Sequence, residues 1–173
     1  MFMFTTTNAI EQIKEFSLEK AESTNQVGIQ RSKKKTARDI AIGKLGGFLV
    51  AEKYGGEVDF DIYTYGAVDS GWDLLINDKK ISIKTIPIYG KYLLVESYQI
   101  NENVDGYIVV KMEYDTSQPI FLEKTADTAK ISRIIPKEEF DSKKKFYPQG
   151  ASICGGLLRN NFGYLLNKQD FYA

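Results

Sequence analysis

Gly71-Trp72-Asp73-Leu74-Leu75-Ile76-Asn77-Asp78-Lys79-Lys80-Ile81-Ser82-Ile83-Lys84-Thr85 reads as two short strands joined by a polar turn. Leu74, Leu75 and Ile76 form an apolar run, and residues 77–80 carry turn-forming polar side chains. Ile81 to Thr85 then alternates apolar and polar, as a half-buried strand does. Successive side chains of a strand point to opposite faces, so Ser82 and Lys84 share one face and Ile81 and Ile83 the other. Folding the hairpin brings Asp73 back toward the second strand. An acid, a small polar residue and a lysine then meet at one sheet edge, a layout suited to metal-dependent phosphodiester chemistry.

Upstream, Gly43-Lys44-Leu45-Gly46-Gly47 lies within an apolar-patterned helix. That helix and the hairpin together resemble the PD-(D/E)XK nuclease superfamily, over residues 35–114 and more weakly to the C-terminus. Asp73 matches the first acid of the motif and Lys84 its lysine. Ser82 stands where the second acid is usual, and Gly47 where the helix carries glutamate. The resemblance implies an α/β fold with a restriction-endonuclease-like core, a mixed central sheet of about five strands flanked by helices. It implies a DNA endonuclease using Mg²⁺, or Mn²⁺, with Asp73, Ser82 and Lys84 at the catalytic centre. Asp73, the carbonyl of Ile83 and Asp69 would hold the metal. A serine hydroxyl is a weaker ligand than a carboxylate for a hard cation, so Asp59, Asp61 or Asp69 would have to supply the second acid. DNA is the expected partner, and a homodimer suits the cutting of two strands.

The rest of the composition agrees with one domain spanning residues 1–173. A chain of 173 residues can bury a core. Hydrophobic residues make up 43% and charged residues 27%, ordinary proportions for a globular protein. Lys+Arg and Asp+Glu both number 23, so nucleic-acid binding has to come from local basic faces rather than from net charge. Two such clusters are expected to contact phosphate: Arg31, Lys33, Lys34 and Lys35, and Lys143, Lys144 and Lys145, with Lys44 on the motif helix. Histidine is absent, which excludes His-based triads and His-ligated zinc. Cys154 is the only cysteine, so no intrachain disulfide can form and a cytoplasmic location is expected. No apolar run is long enough for a membrane span, and Met1 to Phe4 lacks the basic flank of a signal peptide.

In order, the spacing predicts a packing helix over 8–22 with Ile10, Ile13, Phe16 and Leu18 inward. A second helix over 36–54 is expected, capped by Thr36 and closed by Gly55-Gly56. Strands are expected over 57–63, 92–98, 104–114, 119–123 and 130–135, with a short helix over 136–141. The tail from 150 reads as short strands and turns. The core therefore runs from about residue 35 to 173. Gly43, Gly46 and Gly47 each cost a helix about 1 kcal/mol against alanine; close packing on a sheet, or close approach of a phosphate backbone, would explain them. On a helix, Asp39 lies well round from Gly47 and is a poor substitute for a glutamate there. Three functions remain open: a working nuclease whose second acid comes from elsewhere, an impaired nuclease fold serving as a DNA-binding or interaction module, and a structural protein with a chance motif.

Overall fold

Asn77 and Asp78 both adopt positive φ, 49° and 60°, as the two-residue type I′ turn requires of its central residues. Lys79 and Lys80 belong to the following strand, so the turn is two residues shorter at its end than the polar run suggests. The hairpin pairs β1 (Leu74–Ile76) with β2 (Lys79–Pro87), Leu74 opposite Ile81. The computed structural model describes residues 6–24, 33–58, 71–100, 103–153 and 157–172. Most of the strand expected over 57–63, the loop carrying Asp69, and Asp59, Asp61, Arg31 and Cys154 lie outside them.

β2 pairs in parallel with β4 (Gly106–Met112), Ile81 to Pro87 matching Gly106 to Met112. Every residue of β4 is buried, as befits a strand at the centre of a sheet covered on both faces. Two two-residue strands, β5 (Lys130–Ile131) and β6 (Ile135–Pro136), run antiparallel to the far side of β4 and complete a mixed five-stranded sheet. The segment 130–135, expected as one strand, is interrupted between these two. There Ser132 takes over the ladder: its N–H donates to the Val109 carbonyl at 2.9 Å, and Val109 N–H donates to Ser132 Oγ at 2.9 Å. β3 (Tyr92–Glu96) follows β2 in the chain but leaves this sheet. It pairs with β10 (Gly163–Asn167), which also pairs with β7 (Lys145–Tyr147), in a separate antiparallel sheet. β8 (Ser152–Ile153) and β9 (Leu157–Leu158) make a small hairpin.

One face of the main sheet is covered by the second helix of the chain, and the first helix packs on the second. α1 (Thr6–Thr24) buries Ile10, Ile13, Phe16, Ser17 and Ala21, a helical stripe, but leaves Leu18 62% exposed. Leu18 falls off the stripe because Ser17, at the helical spacing, donates its hydroxyl to the Ile13 carbonyl at 2.6 Å and packs inward. α2 (Lys33–Tyr54) begins before Thr36, which lies inside its first turn rather than capping it. Gly55 and Gly56 end it with φ of 84° and 110°. Ile42, Leu45 and Val50 join Leu74, Ile76, Ile81, Ile108 and Val110 in one apolar core. On the opposite sheet face, Tyr107, Val109 and Ile135 pack with Leu93, Val95 and Leu166 of the small sheet. α4 (Lys137–Lys143) and α5 (Lys168–Tyr172) add Phe140 and Phe171 there. Residues 119–123 do not form a strand: α3 (Leu122–Asp127) starts within them, burying Leu122 and Thr125 at i, i+3. α5 is a helix in a tail whose composition suggests only strands and turns.

The three helix glycines have different causes. A Cβ on Gly46 would collide with Thr85 Oγ1 on β2, so Gly46 is required for close approach of α2 to the sheet. A Cβ on Gly47 would meet only Val58 Cγ1 at 3.9 Å, and one on Gly43 nothing within 4 Å. Gly46→Ala should therefore destabilise by roughly 1–3 kcal/mol, with much of the loss recovered when Thr85→Ala is added. Gly43→Ala should stabilise by up to about 1 kcal/mol. Urea midpoints of the variants check both.

Candidate active site at the Asp73 hairpin

Asp73 immediately precedes β1, and its N–H donates at 2.9 Å to the carbonyl of Ile81, the residue that Leu74 faces. The regular pairing ends at Leu74 opposite Ile81, and Asp73, one residue before it, turns its carboxylate onto Ser82 and Ile83. Asp73 Oδ2 accepts the Ile83 N–H at 2.6 Å and the Ser82 hydroxyl at 3.3 Å. β1 has ended by this point, so the carboxylate supplies the partner that Ile83 would otherwise lack. In a strand the N–H and C=O of one residue point to the same side, so the Ile83 carbonyl also faces this edge. The structure thus brings Asp73, Ser82, Ile83 and Lys84 together.

The carboxylate is open to solvent on one side, but the surrounding protein raises its pKa above the usual aspartate value. Desolvation is the largest cause. The Ile83 N–H, the Lys84 charge, the Ser82 hydroxyl and the Lys44 charge oppose it, in that order, without reversing it. Lys84 acts from beyond ion-pair distance; among the described residues no carboxylate lies within 4.0 Å of its ammonium. Lys44, on α2, acts on Asp73 by its charge, and its Nζ stands 4.7 Å from the Phe16 ring centre. Ser82 is only 2% exposed. Its hydroxyl orients Asp73, and a larger carboxylate at 82 would have to be accommodated in a filled space.

Beyond the end of β1 the edge of β2, which no further strand pairs among the described residues, borders a cleft of about 310 Å³. Ile83, Lys84, Leu94, Gly43, Asp39 and Tyr114 are among its walls. Burial first, then Tyr89 and Asp39, push the Tyr114 hydroxyl far above its ordinary pKa, so it stays protonated. Asp39, a poor substitute for an acid at 47 by helical angle, nevertheless shares the cleft with Lys84. The reason is that α2 runs along β2 and brings its N-terminal turns to the strand's later residues. The signal available in the sequence is the i, i+4 relation of Asp39 to Gly43, the glycine with open space before it.

The two basic clusters differ in their immediate surroundings. Lys34 and Lys35 are exposed in the first turn of α2, where no acid offsets the positive helix end. Lys33 begins that helix and Arg31 is outside the described residues. Lys143 pairs with Glu139 at 3.0 Å and Asp170 at 3.7 Å, and Lys144 with Asp141 at 2.7 Å, so two charges of the second cluster are locally neutralised. Lys145 is exposed. Among the described residues no three His, Cys, Asp or Glu side chains group closely enough to hold a metal ion, and no helix is long and apolar enough to cross a membrane. No protein-family model, curated protein or solved structure matches this chain.

A carboxyl whose pKa is raised on folding binds its proton more tightly in the native state. Stability then falls as pH rises from the unfolded value, about 3.9, through the folded one. Asp73→Asn keeps an oxygen for the Ile83 N–H and removes this fall. Urea midpoints between pH 3.5 and 7 should show Asp73→Asn gaining on the parent as pH rises. A gap that is constant with pH would mean that Asp73 titrates normally.

Proposed function

We propose that this chain is a metal-dependent DNA endonuclease of the PD-(D/E)XK type, hydrolysing phosphodiester bonds at the Asp73 hairpin. The observation that carries the reading is the meeting of Asp73 with Ser82 and the Ile83 N–H, one strand step from Lys84 on the same face. The donor set fits a hard cation in part. Both hydrogen bonds to Asp73 fall on Oδ2, which leaves Oδ1 as an oxygen ligand, and the Ile83 carbonyl faces the same edge. An aspartate carrying an uncompensated desolvation cost is one whose charge a cation would offset. Asp73 and Ile83 would hold Mg²⁺ or Mn²⁺, the remaining positions going to water and to an acid of the segment that contains Asp59, Asp61 and Asp69.

When bound, the cation polarises a phosphoryl oxygen and lowers the pKa of water. Ile83 N–H and Ser82 Oγ fix the Asp73 carboxylate. Lys84 supplies an ammonium at the open edge of β2, where it orients the attacking water and stabilises charge developing on the phosphate. Lys34, Lys35 and Lys44 offer cationic partners for the DNA backbone along α2, and two copies of the chain would serve the two strands.

A second reading is favoured by one specific pair of observations. Ser82 fills the second-acid position with a buried hydroxyl, and Gly47 offers no side chain at the helix position. Both describe a nuclease fold that has lost ligands and acts as a DNA-binding module. Plasmid nicking separates the two. The endonuclease reading expects nicking with Mg²⁺ or Mn²⁺ that Lys84→Ala lowers by roughly 10²–10³-fold, with DNA affinity retained. A parent protein that binds DNA without nicking it under either ion overturns the enzyme and leaves the module.

A further inference from the structure

Lys111 lies in β4, whose other residues are all buried, and only 3% of its own surface is exposed. The β4–β5 register sets it directly opposite Lys130. Opposed residues of an antiparallel pair share a face with Cβ atoms about 4.5–5.5 Å apart, and like charges there are destabilising. Lys168, at the start of α5, adds a third ammonium. Burial, then Lys168, then Lys130 hold the Lys111 pKa below that of an ordinary lysine. The side chain is enclosed along its length, and its ammonium lies 6.0 Å from the ring centre of Tyr172, which is itself 38% exposed. The Tyr172 hydroxyl donates to the Lys130 carbonyl at 3.3 Å and fixes that wall.

Neighbouring lysines are treated otherwise. Lys137, Lys143 and Lys144 each have a carboxylate within 4.0 Å, and Asp170, the acid nearest Lys168 in sequence, is turned to Lys143. Among the described residues Lys111, Lys130 and Lys168 have none. Lys111 and Lys130, opposed across the strand pair, with the Lys168 charge acting on Lys111, make a cationic group without a described counter-charge that suits an oxyanion with several acceptor oxygens. Lys111 also shares its sheet face with Lys84. The parallel register matches Lys84 with Val109, two residues before Lys111, so the two Cα atoms are about 8 Å apart by strand geometry.

We propose that Lys111, Lys130 and Lys168 form a phosphate-binding site, and that its occupant is a backbone phosphate of DNA beside the scissile position. The choice of DNA rests on the nuclease reading; the phosphate site does not. The test uses the full chain, tripolyphosphate and a fluorescent DNA duplex as probes, with Lys130→Gln/Lys168→Gln and Lys111→Met as variants. Tripolyphosphate binding by calorimetry should disappear in the double variant. Its duplex affinity at low salt should fall by tenfold or more, with the slope of log K against log salt shallower by about 0.9 for each phosphate no longer neutralised. Lys111→Met should raise the urea midpoint while weakening both probes, the reverse of what a structural lysine would do. A double variant that binds both probes like the parent overturns the site and leaves the nuclease reading standing. So does a parent that binds DNA but no tripolyphosphate, if the double variant keeps the parental salt slope. A parent that binds tripolyphosphate but no duplex keeps the phosphate site and overturns both its DNA occupant and the nuclease reading. A parent that binds neither overturns the site.

Discussion

The parallel pairing of β2 with β4 decides which side chains of this protein can act together. Its register puts Ile81, Ile83 and Thr85 beside Gly106, Ile108 and Val110 on the face that α2 covers. It puts Ser82, Lys84 and Ile86 beside Tyr107, Val109 and Lys111 on the other. A slip by one residue would exchange the two sets, sending Lys84 into the helical core and Ile83 to the edge. The close approach of Gly46 to Thr85 guards against that slip, because only a glycine lets α2 come so near the strand there. Site and core are thus specified by one ladder.

Asp73 illustrates how local structure and chemistry are balanced. In the hairpin it serves as an end-of-strand partner, taking the N–H that β1 is too short to reach. For that role a neutral amide would suffice, and the raised pKa means the ionised form is held against the preference of its surroundings. Residues that cost stability where a less costly alternative exists concentrate at functional sites. Ser82 fits the same pattern from the other direction: buried and bonded to Asp73, it positions the acid it was expected to accompany as a ligand.

Much of the frame is legible in the sequence because it rests on local signals. Asn77-Asp78 announces its turn, Gly55-Gly56 ends α2, and the alternation of residues 81–85 fixes which side chains share a face. Pairings between distant segments are not legible. The run at 92–98 reads as a strand without naming its partner, and only its pairing with β10 reveals that it belongs to another sheet. The alternation of Ile120 and Leu122 suggests a strand, but Leu122 and Thr125 bury at helical spacing against the main core. The ion pairs of Lys143 and Lys144 depend on how α4 folds and where α5 comes to lie, which no run of lysines discloses. Asp39 reaches the cleft through the line of α2 along β2, a tertiary fact.

Because the connection between β2 and β4 carries β3 out into the second sheet, the order of synthesis matters for this chain. A parallel pair is usually bridged by a helix that satisfies its own backbone. Here the bridge exposes strand edges until its partner exists: Glu96 meets Gly163, 67 residues later, and Tyr92 meets Asn167, 75 later. At translation rates of about 5–20 residues per second, β3 waits roughly 3–15 seconds with unpaired backbone and with Leu93 and Val95 uncovered. β10 therefore closes the apolar layer behind Lys84 well after the hairpin is made, and a nascent chain halted before β10 carries the hairpin and the site without the strand that completes that layer.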